Sequence, residues 1–310
     1  MITTITLNAA IDKTYYLESF KPGQTNRVAD SYAVPGGKGI NVARVAHTLG
    51  QQVTASGFVG GKNGEFIIQE LNRGGITNDF VTLAEGESRL CLNVLARDSG
   101  QYTEILESGP VVTTEDVASL KQTVARLAAR SSVVTLSGSL PKGVPVSIYR
   151  ELIEIVKGQG AKAFLDTSGA ALSDAVTAKP AFIKPNEDEI ETLLGQRLTN
   201  EQQLLPAIKQ LMETGIGCVV VTMGEHGAVA GFEGRCYRIQ APVITAVNPV
   251  GCGDSFVAGM AVGVHNGWPW EEQLRYATAT ASANALTPMA GTVRPADLER
   301  LLPQVTVHAL

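Results

Sequence analysis

A chain of 310 residues with 25 basic and 30 acidic side chains carries a formal charge of −5. That balance excludes a general nucleic-acid binder, so any phosphate the protein holds must be held locally. Hydrophobic residues at 44% supply a substantial globular core, and the four cysteines, Cys91, Cys218, Cys236 and Cys252, have neither paired metal-ligand spacing nor the number of a disulfide scaffold, so buried free thiols are expected.

Taken in chain order, Ile2 to Leu7 is a short run rich in branched residues and reads as a buried parallel strand. The same N-terminal stretch has no basic leader and no long apolar run, so neither a signal peptide nor a membrane partner is expected and the cytoplasm is the expected location. Thr14 to Val34 alternates without helical pattern. Pro35-Gly36-Gly37-Lys38-Gly39-Ile40-Asn41 then runs into a helix whose Val42, Val45, Ala46 and Leu49 share one face, with Gly50 as its stop. Ser88 to Glu107 alternates again, as in Arg89-Leu90-Cys91-Leu92-Asn93-Val94, which predicts a small sheet projecting from the main body.

Beyond it, helical periodicity over Thr114 to Ala129, Ser147 to Gly158 and Glu201 to Thr214 separates strands at Ser132 to Leu136, Ala163 to Leu165 and Cys218 to Val221. Strand and helix alternating in this way predict a largely parallel α/β sheet covered by helices on both faces. Near the end, Asn248-Pro249-Val250-Gly251-Cys252-Gly253-Asp254-Ser255 leads into the apolar run Phe256 to Val264, which is too short to cross a bilayer. Two glycines one residue apart turn backbone N–H groups toward one point, and the positive end of the following helix favours negative charge there. A carboxylate at such an anion site reads as a base beside it, or as a plain helix cap.

These segments, with Asn8, Asp12, Ser137-Gly138-Ser139-Leu140-Pro141, Asp166-Thr167-Ser168-Gly169, Lys184-Pro185-Asn186, Glu189, Thr222-Met223-Gly224 and Gly227, occur in one order over nearly the whole chain. The chain resembles the ribokinase-like carbohydrate kinases, within them the phosphofructokinase-B branch. The resemblance implies one ribokinase-like kinase domain over residues 1–310, with a β-sheet lid from about residues 12–34 and 88–107 that often pairs with a second subunit, so a homodimer through the lid is expected. It implies transfer of a phosphoryl group from ATP, with Mg2+, to a ketohexose phosphate such as tagatose 6-phosphate or fructose 1-phosphate. Fructose 6-phosphate stays open as the acceptor, as does activation by K+.

In that reading the amides of Gly251, Cys252 and Gly253 compensate charge on the moving phosphoryl group. Asp254 takes the acceptor's proton and, because the transition state is loose, needs no raised pKa. Asp12 would hold two sugar hydroxyls, Gly36, Gly37 and Asn41 would line the same pocket, Arg27, Lys38 and Arg89 would clamp the existing phosphate, and Ser139 would add a hydroxyl. Lys184 and Asn186 would border the ATP phosphates, with Glu189 reaching Mg2+ through water. Thr222, Gly224 and Gly227 would turn beside the adenosine, with Asn284 near the base. Pro249 and Cys252 depart from the residues many members carry. Cys252, at a helix start, is expected either as a thiol of lowered pKa or as a small apolar filler.

Three other readings fare worse. A dinucleotide oxidoreductase lacks its Gly-x-Gly-x-x-Gly after the first strand, and a P-loop NTPase lacks its motif at Gly37-Lys38-Gly39. A catalytically silent sugar-phosphate sensor is opposed by Asp254 standing beside Gly251 and Gly253. The four histidines form no cluster in sequence and receive no metal or catalytic role.

Overall fold

The computed structural model describes residues 1–198 and 200–310. Its main sheet has eleven strands among the described residues. The parallel part runs, in spatial order, through Thr77–Asn78, Val53–Gly60, Ile2–Thr6, Val133–Ser137, Lys162–Asp166, Phe182–Ile183 and Cys218–Thr222. Val81–Leu83 adds to the far half of Val53–Gly60. Three strands that the sequence reading left unassigned, Ala228–Phe232, Arg235–Gln240 and Thr306–Ala309, extend the opposite edge antiparallel.

The central strands are apolar on both sides because both sides are covered. Ile2 and Val133 point into one core with the helices Lys38–Thr48, Cys252–His265 and Trp270–Ala285. Ile5, Val134 and Leu136 point into a second core under Thr114–Ala128 and Ile148–Gly158. A two-sided core of this kind removes the polar alternation of a half-exposed sheet. Helix ends follow local chemistry: Thr113 and Asp116 form a reciprocal capping box, and Gly50 takes φ +81° just past the helix Lys38–Thr48. The apolar run 256–264 lies inside the buried helix Cys252–His265. Among the described residues no helix is long and apolar enough to cross a membrane.

The second sheet forms from the two segments of alternating pattern, in the order Asp30–Gly36, Ala10–Leu17, Arg89–Ala96, Tyr102–Leu106. Its middle pair is parallel, with Ala10 opposite Arg89 and Asp12 opposite Cys91. Tyr102, Ile105 and Leu106 leave its outer strand exposed.

From Ile2–Thr6 the main sheet grows one way through Val53–Gly60 and the other way through Val133–Ser137. The order therefore reverses at the C-terminal ends of Ile2–Thr6 and Val133–Ser137, where open α/β sheets place their ligands. Asn8, Gly138 and Ser139 follow those ends, and Asp166 and Lys184 end or follow the next strands along.

Candidate active site

The late glycine turn begins the helix Cys252–His265. Gly251 is its N-cap at φ +83°, and a Cβ there would stand 2.6 Å from the backbone nitrogen of Gly291, so glycine is required twice over. The turn is braced from behind. Asn248 Oδ1 accepts from Val250 N at 2.9 Å, and Asn284 Nδ2 donates to Val250 O at 2.9 Å while Asn284 Oδ1 accepts from Thr292 N at 3.2 Å. Cys252 N donates back to Pro249 O at 3.3 Å, whereas no acceptor among the described residues meets the amides of Gly251 and Gly253. Two free amides thus remain at a helix N-terminus, an arrangement suited to an anion.

Asp254 is buried in the first turn of that helix and accepts a hydrogen bond from Asn41 Nδ2 at 2.8 Å. Burial pushes its carboxyl up to about 6, against the pull of the Lys38 ammonium and the Asn41 amide. The role does not require a raised pKa, but the fold imposes one: an enclosed carboxylate loses hydration that its neighbours only partly replace.

On the other side, Asp12 lies in the second-sheet strand Ala10–Leu17 with its carboxylate directly over Gly36, where a Cβ would come within 2.1 Å of the Asp12 carboxyl carbon. Burial pushes Asp12 up to about 6 as well, opposed by Arg89 and Arg44 and by the Gly37 amide. Gly37 caps the helix Lys38–Thr48 at φ +94°. Arg89 donates from Nε to Asn8 O at 3.1 Å, and Asn8 Nδ2 donates to Ser139 Oγ at 3.3 Å, which brings Asp12, Arg89 and Ser139 to one rim. Arg27 is not part of it: it sits exposed in the loop between Ala10–Leu17 and Asp30–Gly36 of the second sheet.

Between the two halves stands a charge cluster in which Asp166 and Lys184 are buried and Lys38 is partly exposed. Asp166 Oδ1 receives Lys38 Nζ at 3.3 Å and Lys184 Nζ at 3.5 Å. Burial alone would raise the Asp166 pKa, but the Lys184 and Lys38 ammoniums override it and hold the carboxyl below its usual range. Burial would likewise lower the Lys38 pKa, and the Asp166, Asp254 and Glu189 carboxylates outweigh it and raise it. Lys184 reaches the glycine turn, since a Cβ on Gly253 would lie 3.2 Å from its Nζ. Next to it, Asn186 bridges to Thr222, and Asn186 and Glu189 cap the helix Glu187–Leu194 reciprocally, with Glu189 N donating to Asn186 Oδ1 at 2.8 Å and Asn186 N to Glu189 Oε2 at 2.9 Å. The turn from Thr222 through Gly224 to Gly227 is tight, because a Cβ on Gly227 would fall 2.2 Å from Ile239 O.

A glycine anion turn, a buried carboxylate, a second carboxylate over a glycine pair and two lysines between them can hold a polyol and a polyphosphate end to end. The chain matches the model of the pfkB family carbohydrate kinases over residues 5–297. It belongs to the pfkB family of carbohydrate kinases. It is 36% identical over 310 residues to the tagatose-6-phosphate kinase of Staphylococcus epidermidis, with 99% of each chain covered. Among solved structures it is similar to phosphofructokinase-2 from Escherichia coli in complex with potassium, at TM-score 0.92 and 28% identity over 98% of both chains. The same enzyme in complex with fructose-6-phosphate gives TM-score 0.90 at 28% identity, again over 98% of both. The ribokinase-like fold and the phosphotransferase activity toward a sugar hydroxyl follow, and the protein is a sugar-phosphate kinase of this family.

The structure decides one open alternative at the site and changes one expectation. Cys252 is not an activated thiol: burial raises its pKa, and its sulfur sits 3.5 Å from the Asn284 amide as a packed side chain. Asn284 is completely buried, with both ends of its amide committed to the turn and to Thr292, so it lies behind the anion loop and not at an open base pocket. Sequence reasoning gave no role to Arg44, in the helix that follows the first glycine segment, or to Asp166, which opens the Asp166-Thr167-Ser168-Gly169 segment. A charged residue one helical turn after Asn41 was the available signal for Arg44, and an aspartate closing a buried strand was that for Asp166.

Proposed function

We propose that the protein transfers the γ-phosphoryl group of ATP to a hydroxyl of a ketohexose phosphate, tagatose 6-phosphate or fructose 1-phosphate, to give the 1,6-bisphosphate. The observation that carries this reading is Asp254, buried beside the free amides of Gly251 and Gly253 and tied through Asn41 to the pocket of Asp12. Asp254 accepts the acceptor's hydroxyl proton, the freed oxygen bonds to the γ-phosphorus, and the bond from that phosphorus to the bridging oxygen breaks with its electron pair leaving on ADP. Gly251 and Gly253 donate to the moving group, Lys184 and Lys38 offset its charge, and Asp12 orients the sugar.

Among the described residues no group of three His, Cys, Asp or Glu side chains is placed to hold a metal ion. That fits magnesium in phosphoryl transfer, which keeps several waters and takes one or two carboxylates plus phosphate oxygens. Glu189 is the residue that would reach it, since its cap engages Oε2 and leaves Oε1. Magnesium when bound supplies charge compensation at the ATP phosphates. Because phosphofructokinase-2 was solved with potassium, a KCl titration belongs to the same assay.

Arg89 and Lys38 support a phosphorylated acceptor over a free sugar, with Arg27 able to join only by movement of its loop or from a second subunit. The likeness to a phosphofructokinase-2 bound to fructose-6-phosphate favours that sugar as a second reading. ADP release with ATP, magnesium and each of the three acceptors, ranked by kcat/KM, decides between them, and silence with all three overturns the kinase assignment to this substrate class. The exposed Tyr102, Ile105 and Leu106 on the lid's outer strand support a homodimer through the lid. Sedimentation giving only monomer at working concentration contradicts it.

A further inference from the structure

The two halves of the pocket ride on different elements, the acceptor side on the lid and the helix Lys38–Thr48, the anion turn on the helix Cys252–His265. Arg44 spans them. Its Nη1 donates to Ala290 O at 3.1 Å and to Pro35 O at 3.4 Å, and its Nη2 donates to Thr292 Oγ1 at 3.2 Å. Pro35 opens the glycine run that lies under Asp12. Residues 290–292 are the backbone against which the anion turn rests, because a Cβ on Gly251 would stand 2.6 Å from Gly291 N and 3.1 Å from Ala290 Cα. Asn284 grips the same segment from the far side, joining Thr292 N to Val250 O. Asn41, one turn before Arg44, also packs on it, for a Cβ on Gly291 would meet Asn41 Oδ1 at 2.7 Å. Asp12 completes the chain by facing the Arg44 guanidinium electrostatically.

We propose that Arg44 is a positioning residue that sets the Gly251–Gly253 turn relative to the acceptor pocket, through residues 290–292, so that acceptor and nucleotide strengthen each other's binding and meet in line. This rests on the kinase reading above. Only a guanidinium has the forked donors for two carbonyls and a hydroxyl at once; a lysine ammonium is a single point. An acceptor engaging Asp12 alters the charge facing Arg44, and the strut carries any resulting shift to the turn. The effect is reciprocal, since a coupling free energy belongs to both ligands.

The test uses the full-length protein, tagatose 6-phosphate, fructose 1-phosphate and fructose 6-phosphate as acceptors, and a non-hydrolysable ATP analogue for binding. Arg44→Met and Arg44→Lys should each lose roughly 10- to 100-fold in kcat, the scale of a misplacement of about 1 Å away from the chemistry. Each substrate alone should bind within about threefold of wild type, while the factor by which one tightens the other falls toward one. Millimolar guanidinium should restore turnover to Arg44→Ala, which a defect of folding would not allow. Thr292→Val, which removes one acceptor of the fork, should show a smaller loss in the same sense. A folded Arg44→Met with wild-type turnover and wild-type coupling overturns the proposal, as does a wild-type coupling factor of one. Should the Arg44 variants fail to fold, unchanged turnover and coupling in Thr292→Val overturns it. Absence of ADP release by the wild-type protein with all three acceptors would instead overturn the kinase reading on which it rests.

Discussion

Asn41 donates its side-chain amide to the Asp254 carboxylate across 2.8 Å, joining two positions 213 residues apart in the chain. One belongs to the first glycine segment and the other to the last, so the hydrogen bond measures how closely the acceptor pocket and the anion turn approach. It also lowers the pKa of a carboxylate that burial pushes to about 6. Without that donor the Asp254 carboxyl would hold its proton to higher pH.

Asp254→Asn should therefore lose about 10² to 10⁴ in kcat, the weight of general-base catalysis, while nucleotide binding survives. Steady-state kinetics with a parallel binding titration check this, and near-normal turnover removes Asp254 from the mechanism.

The same substitution should stabilise the protein at neutral pH. A carboxyl whose folded pKa lies at about 6, above its unfolded value of 3.8, binds its proton more tightly when folded. The wild-type fold therefore loses stability as pH rises from about 4 to 6, and Asn does not. The melting temperature of Asp254→Asn relative to wild type should rise over that window and level off above it. A difference that is flat with pH would mean the buried carboxylate carries no such penalty.

Turnover should fall as pH drops through about 6, because the proposed mechanism uses both Asp254 and Asp12 as carboxylates and burial pushes each up to about 6. The two limbs overlap as one apparent titration. Asn41→Ala should move the limb upward, and Asp12→Asn should leave only the Asp254 contribution. A limb unmoved by Asn41→Ala separates that hydrogen bond from the proton transfer.

Gly36→Ala should raise the acceptor KM by about tenfold or more with little change for ATP, since the new methyl would displace the Asp12 carboxylate. Arg89→Ala should show the same selectivity. Equal changes for both substrates would place these residues outside the acceptor pocket.

Removal of the Asp166 side chain in Asp166→Ala leaves the buried Lys184 ammonium without its counter-ion and should cost about 3 kcal/mol of stability, the usual penalty for halving a buried pair. Denaturant unfolding measures it. Because the Asp166 pKa is held low in the fold, its contribution is present above the unfolded value of 3.8 and is lost as pH falls below it.

Much of the architecture was legible because its causes are local. Apolar runs bounded by turns became the central strands, and Val42, Val45, Ala46 and Leu49 became one buried helix face, as period and capping dictate. The hairpin of Ala228–Phe232 and Arg235–Gln240 closes through Glu233-Gly234 and carried a local turn signal that went unread, whereas Thr306–Ala309 pairs with Arg235–Gln240 about seventy residues away, and that pairing leaves no mark in a local window. At the site, glycine positions were legible from the chemistry of turns and Asp254 from its place beside one, whereas the roles of Asp12 and Glu189 came only from the family resemblance.

What the chain alone determined, then, were the residue types at each turn and strand end, because glycine conformation, capping and hydrophobic period act within a few residues. Only the tertiary structure decided their protonation and partners. Enclosure raised Asp254 and Asp12, while at Asp166 the Lys184 and Lys38 ammoniums that the fold laid beside it outweighed enclosure and lowered the carboxyl. The fold decided for packing between the two readings of Cys252, and it laid Asn284 against Val250 and Arg44 against Ala290, neither pair being adjacent in sequence. Desolvation and long-range contact are properties of an assembled interior, and no stretch of sequence carries them by itself.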